Sequence, residues 1–216
     1  MTAPAKAVNN GPDQVVRRCA DLLIAGSVLV ALSPLLLFIG AVIRLSSPGP
    51  AIFRQSRVGL ARETFCFYKF RTMQAGCDDT PHRELVCREL RGDEVSRGGS
   101  WKLDADSRVT RFGSFLRRTS LDELPQLVNV LRGEMTLVGP RPCLEWEAEM
   151  FPGEFGERFD VRPGVTGLWQ VSGRSTVSTL DMLRLDVRYV RERTLFGDFA
   201  ILMRTVPAVL RGDGAR

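Results

Sequence analysis

The sequence is poor in histidine, lysine and paired cysteine, and each shortage closes off a class of chemistry. Its one histidine, His82, stands beside Pro81 in a polar stretch. That excludes a multi-histidine metal site and argues against a His-dependent triad, and His82 reads as a surface residue. Five cysteines, at 19, 66, 77, 87 and 143, are odd in number and form no Cys-x-x-Cys pair. That argues against a disulfide framework or a zinc site and fits a reducing compartment. The G-x-x-x-x-G-K-[ST] and H-E-x-x-H patterns are missing, and no G-x-G-x-x-G is well placed. Any acid, base or nucleophile must come mainly from carboxylates.

What is present is arginine. Thirty basic residues face twenty-five acidic ones for a net charge of +5, and all but Lys6, Lys69 and Lys102 of the thirty are arginine. This balance favours anionic partners: phosphates, nucleic acid or an acidic membrane surface. The planar guanidinium binds phosphate through two parallel hydrogen bonds, which lysine cannot match. A GC-rich genome choosing arginine codons accounts equally well for most of them. At 216 residues the chain can bury one core, and it has neither an internal repeat nor a linker that defines a second globular unit.

One stretch lacks charge altogether. Leu22 to Ile43, "LLIAGSVLVALSPLLLFIGAVI", runs for 22 residues, roughly 33 Å as a straight helix, enough to cross a hydrocarbon core. It is long for a signal peptide, and no A-x-A-like site follows it. Both flanks are basic, with Arg17 and Arg18 before it and Arg44, Arg54, Arg57 and Arg62 after it. Positive residues prefer the cytoplasmic side, and a single span cannot put both flanks there. A hairpin entering and leaving by one face can, and Ser33-Pro34 at the midpoint would break the helix, the serine hydroxyl or a neighbouring segment satisfying the freed carbonyl. A kinked single-pass helix is the competing reading.

A second stretch, "RRTSLDELPQL" at 117–127, sets Asp122 and Glu123 between a pair of arginines and a proline. Ser120 and Glu123 have the spacing of a capping box, and acids in a first turn suit the helix dipole. Leu124, Leu127, Val128 and Leu131 recur at helical spacing, and Gly133 is placed to end the helix. Pro125 spoils the fit, because the fifth position of a helix needs its N–H. A helix beginning nearer Leu124 would leave both acids in the preceding loop.

Elsewhere "AIFRQSRV" and "TFCFYKF" flank "GLARE" as a short β-hairpin. Residues 74–108 are charged and irregular, with a short helix around "HRELVCREL" and a loop at "RGGS". "RFGSFLRR" predicts a short helix, "MTLVGPRP" and "VTGLWQVSGR" strand-like pieces, and "TLDMLRLDVRYVRER" a charged amphipathic helix. "DFAILMRTVPAVLRG" is either a core helix kinked at Pro207 or a helix lying in the headgroup layer. The expected organisation is a disordered tail at 1–14, a re-entrant membrane helix at 15–48 and a cytoplasmic catalytic domain at 49–216. Its fold class is mixed α+β, with amphipathic interfacial helices.

Around the acidic pair the sequence offers a basic framework: Lys69 and Arg71 in "YKFRTM", Arg117 and Arg118, Arg141 in "GPRP", and Arg162 and Arg174 around "PGVTGLWQVSG". It would suit a polyphosphate held near a carboxylate with Mg²⁺ between them. An aspartate can also attack phosphorus and form an acyl phosphate. Taken singly, each basic residue is an ordinary surface charge and Trp169 an ordinary core residue; only the ensemble carries weight.

The ordered motifs "SPLLL", "SPGPAIFRQSRVG", "YKFRTM", "DSRVTRFGSFLRRTSLDELPQL", "LRGEMTLVGPRP" and "RPGVTGLWQVSGR" resemble the bacterial sugar transferase family, the monotopic phosphoglycosyl transferases acting on polyprenol phosphate. The resemblance covers about residues 15–210. It implies that Asp122 attacks the β-phosphate of a nucleotide sugar, with a UDP-sugar the expectation, releasing the nucleoside monophosphate and leaving a phosphosugar on the enzyme. Glu123 binds Mg²⁺, and the polyprenol (undecaprenyl) phosphate then takes the phosphosugar. Arg117 and Arg141 hold phosphate, Lys69 and Arg71 match the family's basic motif, and Arg174 is a nucleotide contact. Ser33-Pro34 matches the family's break in a re-entrant helix. The implied setting is the cytoplasmic face of a bacterial inner membrane, in exopolysaccharide, O-antigen or glycoprotein glycan synthesis; no nucleic acid is expected, and a homodimer is allowed.

Larger family members carry further membrane segments or an extra domain before the catalytic part, so this chain resembles a compact or minimal form. Ala75 to Leu103 carries little of the family pattern and is where sugar preference would be set. Two other readings compete: a non-catalytic anchored adaptor whose basic face binds anionic lipid or nucleic acid, and a hydrolase passing the phosphosugar to water.

Overall fold

A computed structural model of the chain describes residues 11–74, 80–90, 108–173 and 177–210. The expected tail at residues 1–10, the "RGGS" loop, Arg174 and most of 75–103 lie outside the described residues.

Helix α1 (Pro12–Ala31) begins at a proline in its first turn with Asp13 beside it, a sequence suited to a helix start. It therefore reaches into the stretch expected to be a disordered tail to residue 14. Its partner α2 (Ser33–Ser46) follows across a 63° bend at Leu32. Pro34 has no N–H to give the carbonyl of Val30, and the Ser33 hydroxyl donates to that carbonyl at 2.8 Å instead. The break thus falls where the sequence places it, and the serine satisfies the group that the proline frees. No single helix among the described residues is long and apolar enough to cross a membrane; the bent pair passes that test together.

The predicted hairpin is present: β1 (Ile52–Val58) pairs antiparallel with β2 (Thr64–Phe70), Phe53 opposite Lys69. The helix expected around "HRELVCREL" is α3 (Thr80–Leu90), and "RFGSFLRR" is α4 (Arg111–Arg118), capped by the Thr110 hydroxyl accepting from Gly113 N–H. Ser120 caps nothing. It adopts a left-handed conformation at φ 55°, and its backbone carbonyl accepts from Glu123 N–H in a 3-10 turn over Leu121–Glu123. Helix α5 (Gln126–Arg132) starts only after Pro125 and ends at Gly133 with φ 82°. Both acids accordingly sit in the turn ahead of the helix, as the position of the proline requires.

Strands β3 (Thr136–Val138) and β4 (Gly164–Thr166) pair in parallel. Between them lie the short α6 (Glu145–Met150) and a 3-10 segment, Gly153–Phe159. Beyond β4, "LWQVS", expected to be strand-like, forms a one-turn helix, α7 (Leu168–Ser172), opened by an extended Gly167. The amphipathic α8 (Thr179–Glu192) has the Ser178 side chain as its cap, and α9 (Leu195–Leu210) runs through Pro207.

One cluster of buried side chains, including Ala25, Phe67, Val130, Met135, Leu137 and Ile201, joins α1, β2, α5, β3 and α9. Another, Ile39, Ile43, Phe70 and Leu116, seats α2 on β2 and α4. The Asp21 carboxylate receives Leu137 N–H at 2.9 Å and the Thr136 hydroxyl at 2.7 Å, so the first helix is docked on the globular part. Outside these contacts α1 and α2 bare Leu23, Val30, Leu37, Phe38 and Leu45. Helix α9 buries Ile201 but exposes Phe196, Phe199, Met203 and Val206, so it serves the core with one face and presents an apolar stripe with another.

Candidate active site

The turn carrying Asp122 is held between β2 and α4. Asp122 is buried, at 8% exposure, and neither carboxylate oxygen has a hydrogen-bond partner among the described residues. Burial, reinforced by the charge of Glu123, pushes its pKa up to about 6, while Lys69, Arg117 and Arg141 pull it back. The structure thus brings together five of the residues singled out from sequence: Asp122, Glu123, Lys69, Arg117 and Arg141. A desolvated, uncommitted carboxylate within a ring of cations is a competent nucleophile toward an electrophile that carries negative charge.

Lys69 projects from β2 with its Nζ 5.0 Å from the centre of the Phe53 ring. Burial and the neighbouring Arg57, Arg117 and Arg141 lower its pKa to about 8, against the pull of Asp122. Arg141 Nη1 donates to Glu123 Oε1 at 3.0 Å, both groups remaining partly open to solvent. The loop bearing Arg141 is fixed from two sides that no sequence pattern connects. Arg158 Nη2 donates to the Arg141 carbonyl at 2.9 Å, and Arg57 Nη1 to that of Pro142 at 3.4 Å. Arg158 is itself fully buried, paired with Asp186 of α8 at 2.8 Å and set against the rings of Phe151 and Phe159.

Arg117 donates from Nε to the Thr72 hydroxyl at 3.0 Å, an orienting partner that sequence reading passed over although "YKFRTM" contains it. Arg71 is placed elsewhere. Its Nη2 donates to the carbonyls of Ser47, at 2.8 Å, and Ile43, at 3.4 Å, and its Nη1 donates to the carbonyl of Pro48. These contacts close the C-terminal end of α2. Arg162 likewise leaves the site, donating to the Gly133 carbonyl at the end of α5. Gln126, one helical turn after Asp122, is 1% exposed, its amide nitrogen without a partner among the described residues.

The oxygens suit a hard cation. Glu123 Oε2 has no partner among the described residues, and Asp122 is its neighbour. No group of three or more His, Cys, Asp or Glu forms a metal cage among them. Mg²⁺ commonly takes one or two carboxylates and completes its shell with water and substrate phosphates, so two acids beside Lys69, Arg117 and Arg141 fit it.

The sequence profile of the bacterial sugar transferases matches residues 12–212. The chain is 42% identical over 203 residues to a UDP-galactose-lipid carrier transferase of Erwinia amylovora, covering 93% of this chain and 41% of that protein. It is 40% identical over 205 residues to the exopolysaccharide production protein ExoY of Sinorhizobium fredii, covering 93% and 88% respectively. It is also 40% identical over 209 residues to a UDP-glucose:undecaprenyl-phosphate glucose-1-phosphate transferase of Caulobacter vibrioides, covering 92% and 71%. The chain therefore spans less than half of the first relative and most of the second.

Proposed function

This chain belongs to the bacterial sugar transferase family, and from that premise we propose that it moves a sugar 1-phosphate from a UDP-sugar to undecaprenyl phosphate. The observation that carries this reading is the buried Asp122 carboxylate, without a hydrogen-bond partner among the described residues, amid Lys69, Arg117 and Arg141. In the first half-reaction an Asp122 oxygen attacks the β-phosphorus of the donor. The bond from that phosphorus to the bridging oxygen breaks, and UMP departs with the oxygen and its electron pair. An acyl phosphate joins the sugar phosphate to Asp122. In the second, an oxygen of the lipid phosphate attacks the same phosphorus and the carboxylate leaves. Lys69, Arg117 and Arg141 offset charge on the phosphoryl oxygens, the chief protein contribution to such transfers. Glu123, with Asp122 beside it, would hold Mg²⁺, which adds charge neutralisation on the same oxygens.

The direct test is the transfer itself: purified chain, UDP-sugar, Mg²⁺ and undecaprenyl phosphate should give UMP and lipid-linked sugar in equal amounts. Phosphosugar appearing in water at the same rate without the lipid would make the protein a hydrolase. A panel of UDP-sugars in the same assay identifies the donor.

Lys69 gives the pH dependence a definite sign. Above pH 8 it loses its proton while the arginines keep theirs, so donor KM should rise by up to about tenfold per pH unit on the alkaline side. Lys69→Arg should flatten that limb; an unchanged limb would assign it to another group.

We further place α1 and α2 in one leaflet, entering and leaving by the cytoplasmic face, on the strength of basic flanks, the broken helix and the bared apolar side chains. The apolar stripe of α9 then lies in the headgroup layer. With the native cysteines replaced, single cysteines at Asp13 and Glu63 should both resist an impermeant maleimide in intact cells and react after permeabilisation. Labelling of one from outside would establish a crossing.

A further inference from the structure

Residues 71 and 72 face opposite ways, one toward the bent helix pair and one toward the phosphate-binding cations. Arg71, 8% exposed, holds the carbonyls of Ile43, Ser47 and Pro48 and also the Ser47 hydroxyl at 3.0 Å, so its fork accounts for much of the hydrogen bonding at the end of α2. Its backbone N–H donates to the Ala51 carbonyl at 2.9 Å, fixing the residue on both sides. Gly49, at φ +111°, is needed for this closeness, because a Cβ there would stand 2.4 Å from Arg71 Nη1.

Thr72, 2% exposed, is gripped just as closely by α4. Its carbonyl accepts Thr110 N–H at 3.0 Å, and its hydroxyl accepts Arg117 Nε at 3.0 Å. Gly113 lets α4 approach, since a Cβ there would lie 2.1 Å from the Thr72 oxygen. Two consecutive residues without rotational slack thus connect the end of α2 to the guanidinium of Arg117.

We propose that Arg71 and Thr72 are positioning residues that couple the seating of α2 to the orientation of Arg117, so that Arg117 meets the transferring phosphoryl group at the right angle only when α2 is docked. Arg71 on this account touches no substrate. The proposal rests on the transferase reading above. Its physical basis is that a small displacement of a charge-stabilising group reduces the chemical step far more than it reduces binding.

The test is UMP release at saturating donor, with donor KM and the melting temperature measured in parallel. Thr72→Val, which keeps shape and loses the hydroxyl, should lower kcat roughly 10- to 100-fold with donor KM within about twofold, and Thr72→Ser should recover most of the rate. In an Arg117→Lys background, which lacks the Nε donor, Thr72→Val should cost little more. Arg71→Lys should behave as Thr72→Val does, lowering kcat and not raising donor KM. The relay is overturned if Thr72→Val costs as much in the Arg117→Lys background as in the wild type, or if Arg71→Lys acts chiefly on donor KM, as a phosphate ligand would. Were Arg71→Lys too unstable to assay, the Thr72 series alone would decide. Failure of the wild type to release UMP from any donor would remove the transferase reading instead, and wild-type turnover with indifferent Thr72 variants would remove only the relay.

Discussion

Asp122→Asn is expected to leave the chain folded and to cut UMP release by about a thousandfold or more, the scale on which loss of a covalent nucleophile acts. The substitution conserves shape at a buried position and removes one of two adjacent negative charges. The raised pKa of Asp122 has a definite sign for stability. A carboxyl that holds its proton more tightly when folded destabilises the fold progressively as pH climbs from its unfolded pKa, about 3.9, to its folded one. At neutral pH the ionised group is thus a burden to the fold, and the asparagine variant should melt no lower than wild type. Mass spectrometry of the wild type incubated with donor alone should find the sugar phosphate on the peptide containing Asp122. Equal UMP release by wild type and variant would sink the covalent mechanism.

The second large effect lies outside the acidic pair. Asp186→Asn leaves Arg158 charged and buried without its counterion, a change of about 3–5 kcal/mol against folding. For a chain of this size the melting temperature should fall by roughly 6–20 °C. Replacing both partners, Arg158→Met with Asp186→Leu, should restore most of that stability, because a well-filled apolar contact also spares the desolvation of two ions. It cannot restore the hydrogen bond from Arg158 to the Arg141 carbonyl. The double variant is therefore expected to melt near wild type while turning over more slowly, with the defect traceable to Arg141. Full activity in a stable double variant would show that the "GPRP" loop holds its shape unaided.

Local patterns carried much of the architecture. The hairpin around "GLARE", the eight-residue α4 and the glycine closing α5 all follow from periodicity and turn chemistry that act within a few residues. Ser120 shows where such patterns mislead. Its spacing to Glu123 satisfies a capping box, yet the chain enters the turn in a left-handed conformation and the capping hydroxyl goes unused. Pro125 was the better guide, because the loss of an N–H is not negotiable.

The grouping of the two acids with three cations was legible as an ensemble because phosphate chemistry would draw on those side-chain types. Arg71 points toward α2 for a geometric reason. Strand alternation would put Lys69 and Arg71 on one face, but β2 ends at Phe70, and the next residue is free to turn toward α2. Arg158 and Asp186 left no signature in the sequence, since they lie 28 residues apart in different elements and meet only in the folded core. Thr72 carried none either, being an unremarkable hydroxyl until Arg117 reaches it.

The pairing of Arg17 with Asp198, 2.6 Å across a sequence separation of 181 residues, ties the first helix to the last. Translation proceeds at about 5–20 residues per second, so a ribosome delivers α1 roughly ten to forty seconds before its counterion exists. Throughout that interval the nascent apolar helix lacks Asp198, and for roughly its first two thirds it also lacks the strand that will receive Asp21; on the membrane placement proposed above, the lipid surface would shelter it. Attachment to the bilayer would then precede, and template, completion of the globular part.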